Sequence, residues 1–381
     1  MLPRERVAAA FEHLPTDRIP IYQAGFSSQV ASYVLGREAY VGGGIQQYRE
    51  ACALWDGPQA HAEFIERSFD DACELCEKLD LDLVRTIYWR RNIMPTRRVD
   101  EHTFVYGNPD DDEEWEVWRF DPPTETYGMV ERRAAPEPAY EQMREDVERI
   151  YQSSEQYQPT PADYSDYQRS FVRMGDRRAI PGTGVAISIP RERNWLEATV
   201  LHPEIVARYL DAIVIRTRKN VRVMEEIGLR YLFGGGDFAG NHGPFYSPRV
   251  FHELMLPRLQ QISQACEASG VYHMFASDGD LWPVADDLFG ASGVHAFYEV
   301  DREFMQFRDV RTRFPHLRLL GGIRSQVLHL GSPADVVAET RTAVEDAHAL
   351  GGCIVGCSNQ IVAGTPEENF WAMMETLDRY R

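Results

Sequence analysis

The chain has 381 residues and carries 59 acidic against 40 basic side chains, a net charge of −19, which disfavours nonspecific attachment to nucleic acid or to an anionic membrane. With 44% hydrophobic and 26% charged residues it has the composition of a folded protein able to bury a large core. No run approaches the roughly 18 apolar residues of a membrane span, and the segment from Met1 reads as amphipathic, unlike a signal peptide. Cytoplasmic residence is the expectation. The cysteines at 52, 73, 76, 266, 353 and 357 are too scattered for a disulfide framework and are expected as free thiols.

Along the chain, eight short apolar runs read as strands: residues 19–24, 83–88, 184–189, 229–233, 271–275, 293–299, 317–322 and 352–356. Amphipathic stretches at 60–79, 203–227, 248–269 and 333–350 show apolar residues at helical spacing. Pro203, Pro248, Pro333 and Pro366 sit where helices are expected to start, the last three directly after Ser or Thr. Strand and helix alternating eight times predicts an α/β fold, a TIM (β/α)8 barrel, over residues 1–381 as a single domain. One segment, 97–133, breaks the alternation with β-rich pieces at 103–106 and 115–120 around an acidic turn at 108–114. It predicts a β-hairpin insertion after the second strand, either a lid or substrate wall over the site or a solvated surface hairpin.

A barrel places its reactive groups at the carboxyl ends of its strands. There the sequence sets Cys357, Asp278, Glu299 and, in the loop after the fourth strand, Asp237 with His242. Asp237 and His242 are close enough to form an orienting pair for proton transfer, or a simple loop hydrogen bond. Strand parity argues against His273 as a ligand and for a satisfied interior histidine: if residues 274, 276 and 278 face the mouth, then His273 faces the helices. Cys73 and Cys76 lie within a helical stretch with no second pair, which reads as two buried thiols. The run Gly234-Gly235-Gly236 reads as a strand end that turns close to its neighbours more readily than as a phosphate cradle. Tyr22, Phe26, Tyr88, Trp89 and Trp282 fall at or just after predicted strand ends, where aromatic faces suit a flat, apolar substrate.

Several motifs together carry a family resemblance. They are Arg18-Ile19-Pro20-Ile21-Tyr22-Gln23-Ala24-Gly25, Gly235-Gly236-Asp237 with Gly243-Pro244 and Ser247-Pro248, Ser277-Asp278-Gly279, and the segment from Cys357 to Asn369. In these the chain resembles the uroporphyrinogen decarboxylase superfamily, most clearly from about residue 229 onward; the family's TIM barrel agrees with the strand count. The true decarboxylase carries Arg-Gln-Ala-Gly-Arg in its first loop, where this chain reads Tyr22-Gln23-Ala24-Gly25-Phe26. Aromatics cannot reproduce guanidinium pairing with a tetrapyrrole's carboxylates. The decarboxylase's aspartate after the second strand is also missing from Ile87-Tyr88-Trp89-Arg90.

The resemblance therefore leans to the branch of zinc-dependent methyltransferases that pass a methyl group to a corrinoid protein. Their His-x-Cys pair corresponds to Ala276-Ser277-Asp278, and their distant Cys to Cys357. A zinc site would then need Asp278, Glu299 and Cys357 as ligands; the alternative leaves Asp278 as a turn cap, Glu299 against substrate and Cys357 as a buried small residue. The expected activity is metal-assisted methyl transfer from a small methylated substrate, aromatic or otherwise, to a partner's corrinoid, that is, a demethylase, as a homodimer or in another oligomeric state that the sequence leaves open. Two competitors stand beside it: a decarboxylase of a small acid, and a noncatalytic ligand-binding barrel.

Overall fold

A computed structural model describes residues 1–110, 114–134 and 137–381. Six parallel strands form one sheet in the order Cys353–Cys357, Arg318–Ile323, Ala296–Val300, Tyr272–Ala276, Tyr231–Gly235 and Pro181–Gly182. Parallel bridges from Ala179 to Leu83, from Leu83 to Tyr22 and from Ile21 to Val355 carry the ladder through two further short strands and back to the first of the six. The sheet thus closes on itself through eight parallel positions as a TIM barrel. Backbone bonds at the closure run from Tyr22 N to Val355 O at 3.1 Å and from Leu83 N to Ile21 O at 3.3 Å.

Side chains alternate across each strand, so closure divides them between the barrel interior and the layer under the helices. The interior holds Tyr22, Ala24, Leu83, Ala179, Tyr231, Met274, Ala296, Tyr298, Leu320 and Ile354. The first helix, Pro3–Phe11, plugs its amino-terminal end, with the Phe11 ring 4.7 Å from both Tyr231 and Tyr272. A phenylalanine buried this way contributes on the order of 2–3 kcal/mol. Helices Pro58–Lys78, Pro203–Glu226, Pro333–Leu350 and Glu367–Tyr380 pack outside. Pro203 and Pro333 start their helices as expected, with Ser332 and Asp335 forming a capping box; Pro366 is the residue before its helix.

One expectation needs correction. The third barrel strand is Ala179–Gly182, and 184–189 is extended but unpaired. Its Val185, Ile187 and Ile189 are buried in the outer core, which explains why their alternation reads as a strand. The β-hairpin insertion is present as expected, as an antiparallel sheet of four strands, Arg97–Arg98, Thr103–Gly107, Trp115–Asp121 and Thr126–Arg133. The acidic turn 108–114 lies partly outside the described residues.

The insert is tied down. Phe104, Tyr106, Phe120 and Tyr127 make a small core against the helix Gly44–Asp56, with Tyr48 stacked on Phe120 at 4.2 Å. The Glu125 carboxylate accepts from Ser28 N and Gln29 N, both at 2.7 Å, at the start of the helix Ser28–Leu35. The fully buried Glu50 accepts from Arg91 N at 2.6 Å and Asn92 N at 3.0 Å. These charge-assisted bonds hold the insert and the loop leading to it against the helices Ser28–Leu35 and Gly44–Asp56.

At the opposite end of the barrel, Asp82 is fully buried and pairs with Arg6 at 2.8 Å and Arg381 at 2.9 Å. It also accepts from Ile21 N at 2.9 Å. Removing one partner from a buried ion network costs about 3–5 kcal/mol because the remaining charges are stranded. Asp82→Ala is expected to lose that much stability in urea denaturation.

Candidate functional site

The carboxyl ends of the strands gather Asp237, Asp278, Glu299 and Asp301 with the cation of Arg85. Their proximity is read in their mutual electrostatic influence: Asp278 and Asp237 act on Glu299, and Asp237 and Asp301 act on Asp278. Glu299 reaches this cluster by breaking the strand alternation. Phe297 and Val300 both face the outer core while Tyr298 faces the interior, so one residue is extra. The register to the next strand slips there, with Phe297 opposite Leu319 but Val300 opposite Gly321.

This is a β-bulge, and Glu299 sits in it at φ +68°, a left-handed conformation costly for a residue with a side chain. The facing strand makes room because position 321 is glycine. A Cβ on Gly321, at φ +126°, would lie 2.7 Å from Val300 N.

Burial, then the Asp278 charge, raise the Glu299 carboxyl to about 8 against the opposing pull of Arg85. Glu299 is thus mostly protonated at neutral pH. Asp278 is partly solvated, yet burial of its carboxylate and the charges of Asp237 and Asp301 raise its pKa as well. Asn359 Nδ2 donates to its two oxygens at 3.3 and 3.1 Å and offsets part of that rise. The two carboxyls share one field, in which Glu299 holds its proton and Asp278 accepts from Asn359.

Cys357 does not join them. Cys353, Val355 and Cys357 face the outer core while Ile354 faces the interior. The Cys357 thiol is fully buried, and burial pushes it up to about 12. Its N–H donates to Gln23 Oε1 at 3.0 Å, and Tyr22 Oη donates to its carbonyl at 3.3 Å. Among the described residues no three His, Cys, Asp or Glu side chains are grouped to hold a metal ion. Asp278, Glu299 and Cys357 therefore do not fit a zinc site.

Asp237 and His242 are not paired either. The Asp237 carboxylate binds Arg191 at 2.8 Å, and His242 is exposed in the turn between the short strands Ala239–Gly240 and Gly243–Pro244. Of the five aromatics, Trp89 stands exposed beside Arg85, whose guanidinium lies 3.8 Å over its ring. Tyr22 is buried in the top layer of the barrel interior, its ring 5.0 Å from Tyr298.

Phe26 and Tyr88 are outer core, and Trp282 packs on that core with its indole N–H donating to Phe304 O at 3.1 Å. Tyr88 lines a small pocket with Thr86, Arg90 and Asp166, and none of the four mouth carboxylates lines it. His273 faces the helices as parity predicts, bonded to Ser263 at 2.9 Å and held by burial near 3. Gly234 and Gly235 serve close strand packing, since a Cβ on Gly235 would lie 2.1 Å from Ala276 O.

Sequence reasoning missed Arg85, Asp301, Asn359 and Gly321. Arg85 was within reach, because Leu83 faces the interior and parity carries residue 85 to the same side. The bulge at Glu299 leaves no local trace beyond the Gly321-Gly322 pair on the neighbouring strand.

The fold and mouth define a uroporphyrinogen decarboxylase-like TIM barrel. Residues 193–380 match the model of the uroporphyrinogen decarboxylase (URO-D) family and belong to that superfamily. Among solved structures, the chain is similar to a methyltransferase from Methanosarcina mazei, with TM-score 0.61 and 15% identity over 100% of this chain and 99% of that one. It is also similar to a candidate vitamin-B12-independent methionine synthase from Listeria monocytogenes, with TM-score 0.51 and 14% identity over 96% and 98% of the two chains. At these identities the likeness is one of fold. No curated protein gives a significant match.

Removing the Asp278 charge relieves the repulsion that holds the proton on Glu299. In Asp278→Asn, the Glu299 titration followed by carbon-13 NMR is expected to move from about 8 to lower pH. An unchanged midpoint would show that the two carboxyls do not interact.

Proposed function

We propose that this chain is an enzyme that takes a methyl group from a small, flat methylated substrate, with Glu299 as the general acid. The observation that carries this reading is the neutral Glu299 carboxyl, aimed by a strained bulge into a mouth shared with Asp278. For an ether substrate, the bond between the methyl carbon and oxygen breaks. The oxygen keeps the electron pair and takes the Glu299 proton, leaving as an alcohol or phenol, while the methyl passes to the acceptor.

General acid catalysis of this kind contributes about 10²–10⁴-fold. The acceptor in this reading is the reduced cobalt of a corrinoid carried by a partner protein. The fold likeness to the Methanosarcina methyltransferase supports methyl transfer as the class of reaction. Zinc is left out because Ala276 offers no donor and Cys357 faces away from the mouth.

A decarboxylase reading has one specific observation in its favour. The Arg85 charge acts on Glu299, so a cation to hold a carboxylate shares the mouth with an acid to protonate the resulting carbanion.

The test is incubation with a methyl aryl ether and either free cob(I)alamin or a reduced corrinoid protein, followed by the cobalt absorption spectrum. Methylation of cobalt is expected, slowed about 100-fold or more in Glu299→Gln and little changed in Cys357→Ala. Release of carbon dioxide from a small acid with a silent cobalt spectrum would select the decarboxylase instead.

A further inference from the structure

The mouth holds a cation that neither the acid chemistry nor the fold requires. Arg85 follows Leu83 by two residues on the second strand, and Leu83 is interior while Val84 is outer core. Its guanidinium donates from Nη1 to Ala24 O at 2.7 Å and from Nε to Ile87 O at 3.0 Å. Its plane lies 3.8 Å over the exposed Trp89 ring and 5.3 Å from Tyr88. Both backbone bonds fix the group without neutralising it.

Most arginines near this one are paired with carboxylates, as Arg90 is with Asp166, Arg91 with Glu116 and Arg191 with Asp237. Arg85 has no carboxylate within 4.0 Å among the described residues, and its Nη2 donates to none of them. A half-buried guanidinium fixed in place, with a free N–H edge and an indole beneath it, is built for a planar oxyanion attached to a flat body.

We infer that Arg85, stacked on Trp89, seats a carboxylate of the substrate, so that the mouth selects flat organic anions over their neutral isosteres. This rests on the reading of the mouth as the substrate site and names the substrate class it takes. The neighbouring Glu299 does not repel such an anion while it keeps its proton. A purely structural Arg85 would instead affect charged and neutral ligands alike.

The test uses benzoate and its neutral isostere benzamide as probes, with binding followed by tryptophan fluorescence and calorimetry at pH 7. The wild type is expected to bind benzoate at least about tenfold more tightly than benzamide, as a charge-assisted pair would give. Added salt should erode that preference. In Arg85→Gln, checked by circular dichroism, benzoate binding should fall to the level of benzamide while benzamide binding holds. Arg85→Lys, which keeps the charge but loses the fork, should fall between them and serves if the Gln variant fails to fold.

Equal binding of the two probes by the wild type, no benzoate binding at all, or a preference that survives in both variants overturns the inference. A silent cobalt assay with benzoate selection intact removes methyl transfer and leaves this seat standing. Active methyl transfer without benzoate selection does the reverse.

Discussion

Closure of eight parallel strands forces each strand residue to face either the barrel interior or the helices, and the candidate site follows from that choice. Parity puts Leu83 inside and so carries Arg85 to the mouth. The same parity puts Ile354 inside and so turns Cys357 into the outer core, where a thiol pushed up to about 12 is inert. Glu299 is the exception that makes the chemistry available. An extra residue after Phe297 re-aims it, and the glycine at 321 accepts the bulge without a clash.

The electrostatics of the mouth follow from the same placement. Four acidic groups gathered at one mouth cannot all ionise at low cost, and Glu299, which burial and the Asp278 charge push up to about 8, holds its proton. Asp278 keeps a donor in Asn359, and Asp237 is neutralised by Arg191. The insert adds preorganisation. Its Glu125 is fixed on Ser28 N and Gln29 N, and the loop leading to it is fixed by Glu50, so the chain's own bonds hold the insert in place.

Much of the scaffold was legible in the sequence because it rests on local signals. Helical spacing and the prolines at 203 and 333 placed helices within a residue or two of their ends. The parity argument at His273 held, since alternation is regular along Tyr272–Ala276. What escaped was set by tertiary pairing. Residues 184–189 alternate like a strand, but the partner positions are taken by Ala179–Gly182. Cys357 ends its strand as expected, but the same parity rule was not applied to it. Phe26 and Tyr88 are adjacent to strand ends yet point outward. The bulge at Glu299 depends on a glycine in the neighbouring strand, and no window of the sequence around 299 contains it.

The account stands on Glu299 being a neutral acid at physiological pH. The infrared difference between the wild type and Glu299→Gln, recorded across a pH series, measures this most directly. A protonated carboxyl C=O band should be present at pH 7 in the wild type alone and should vanish as pH rises through about 8. A spectrum at pH 7 in which the wild type shows no such band, with the carboxylate band of an ionised glutamate in its place, would contradict it.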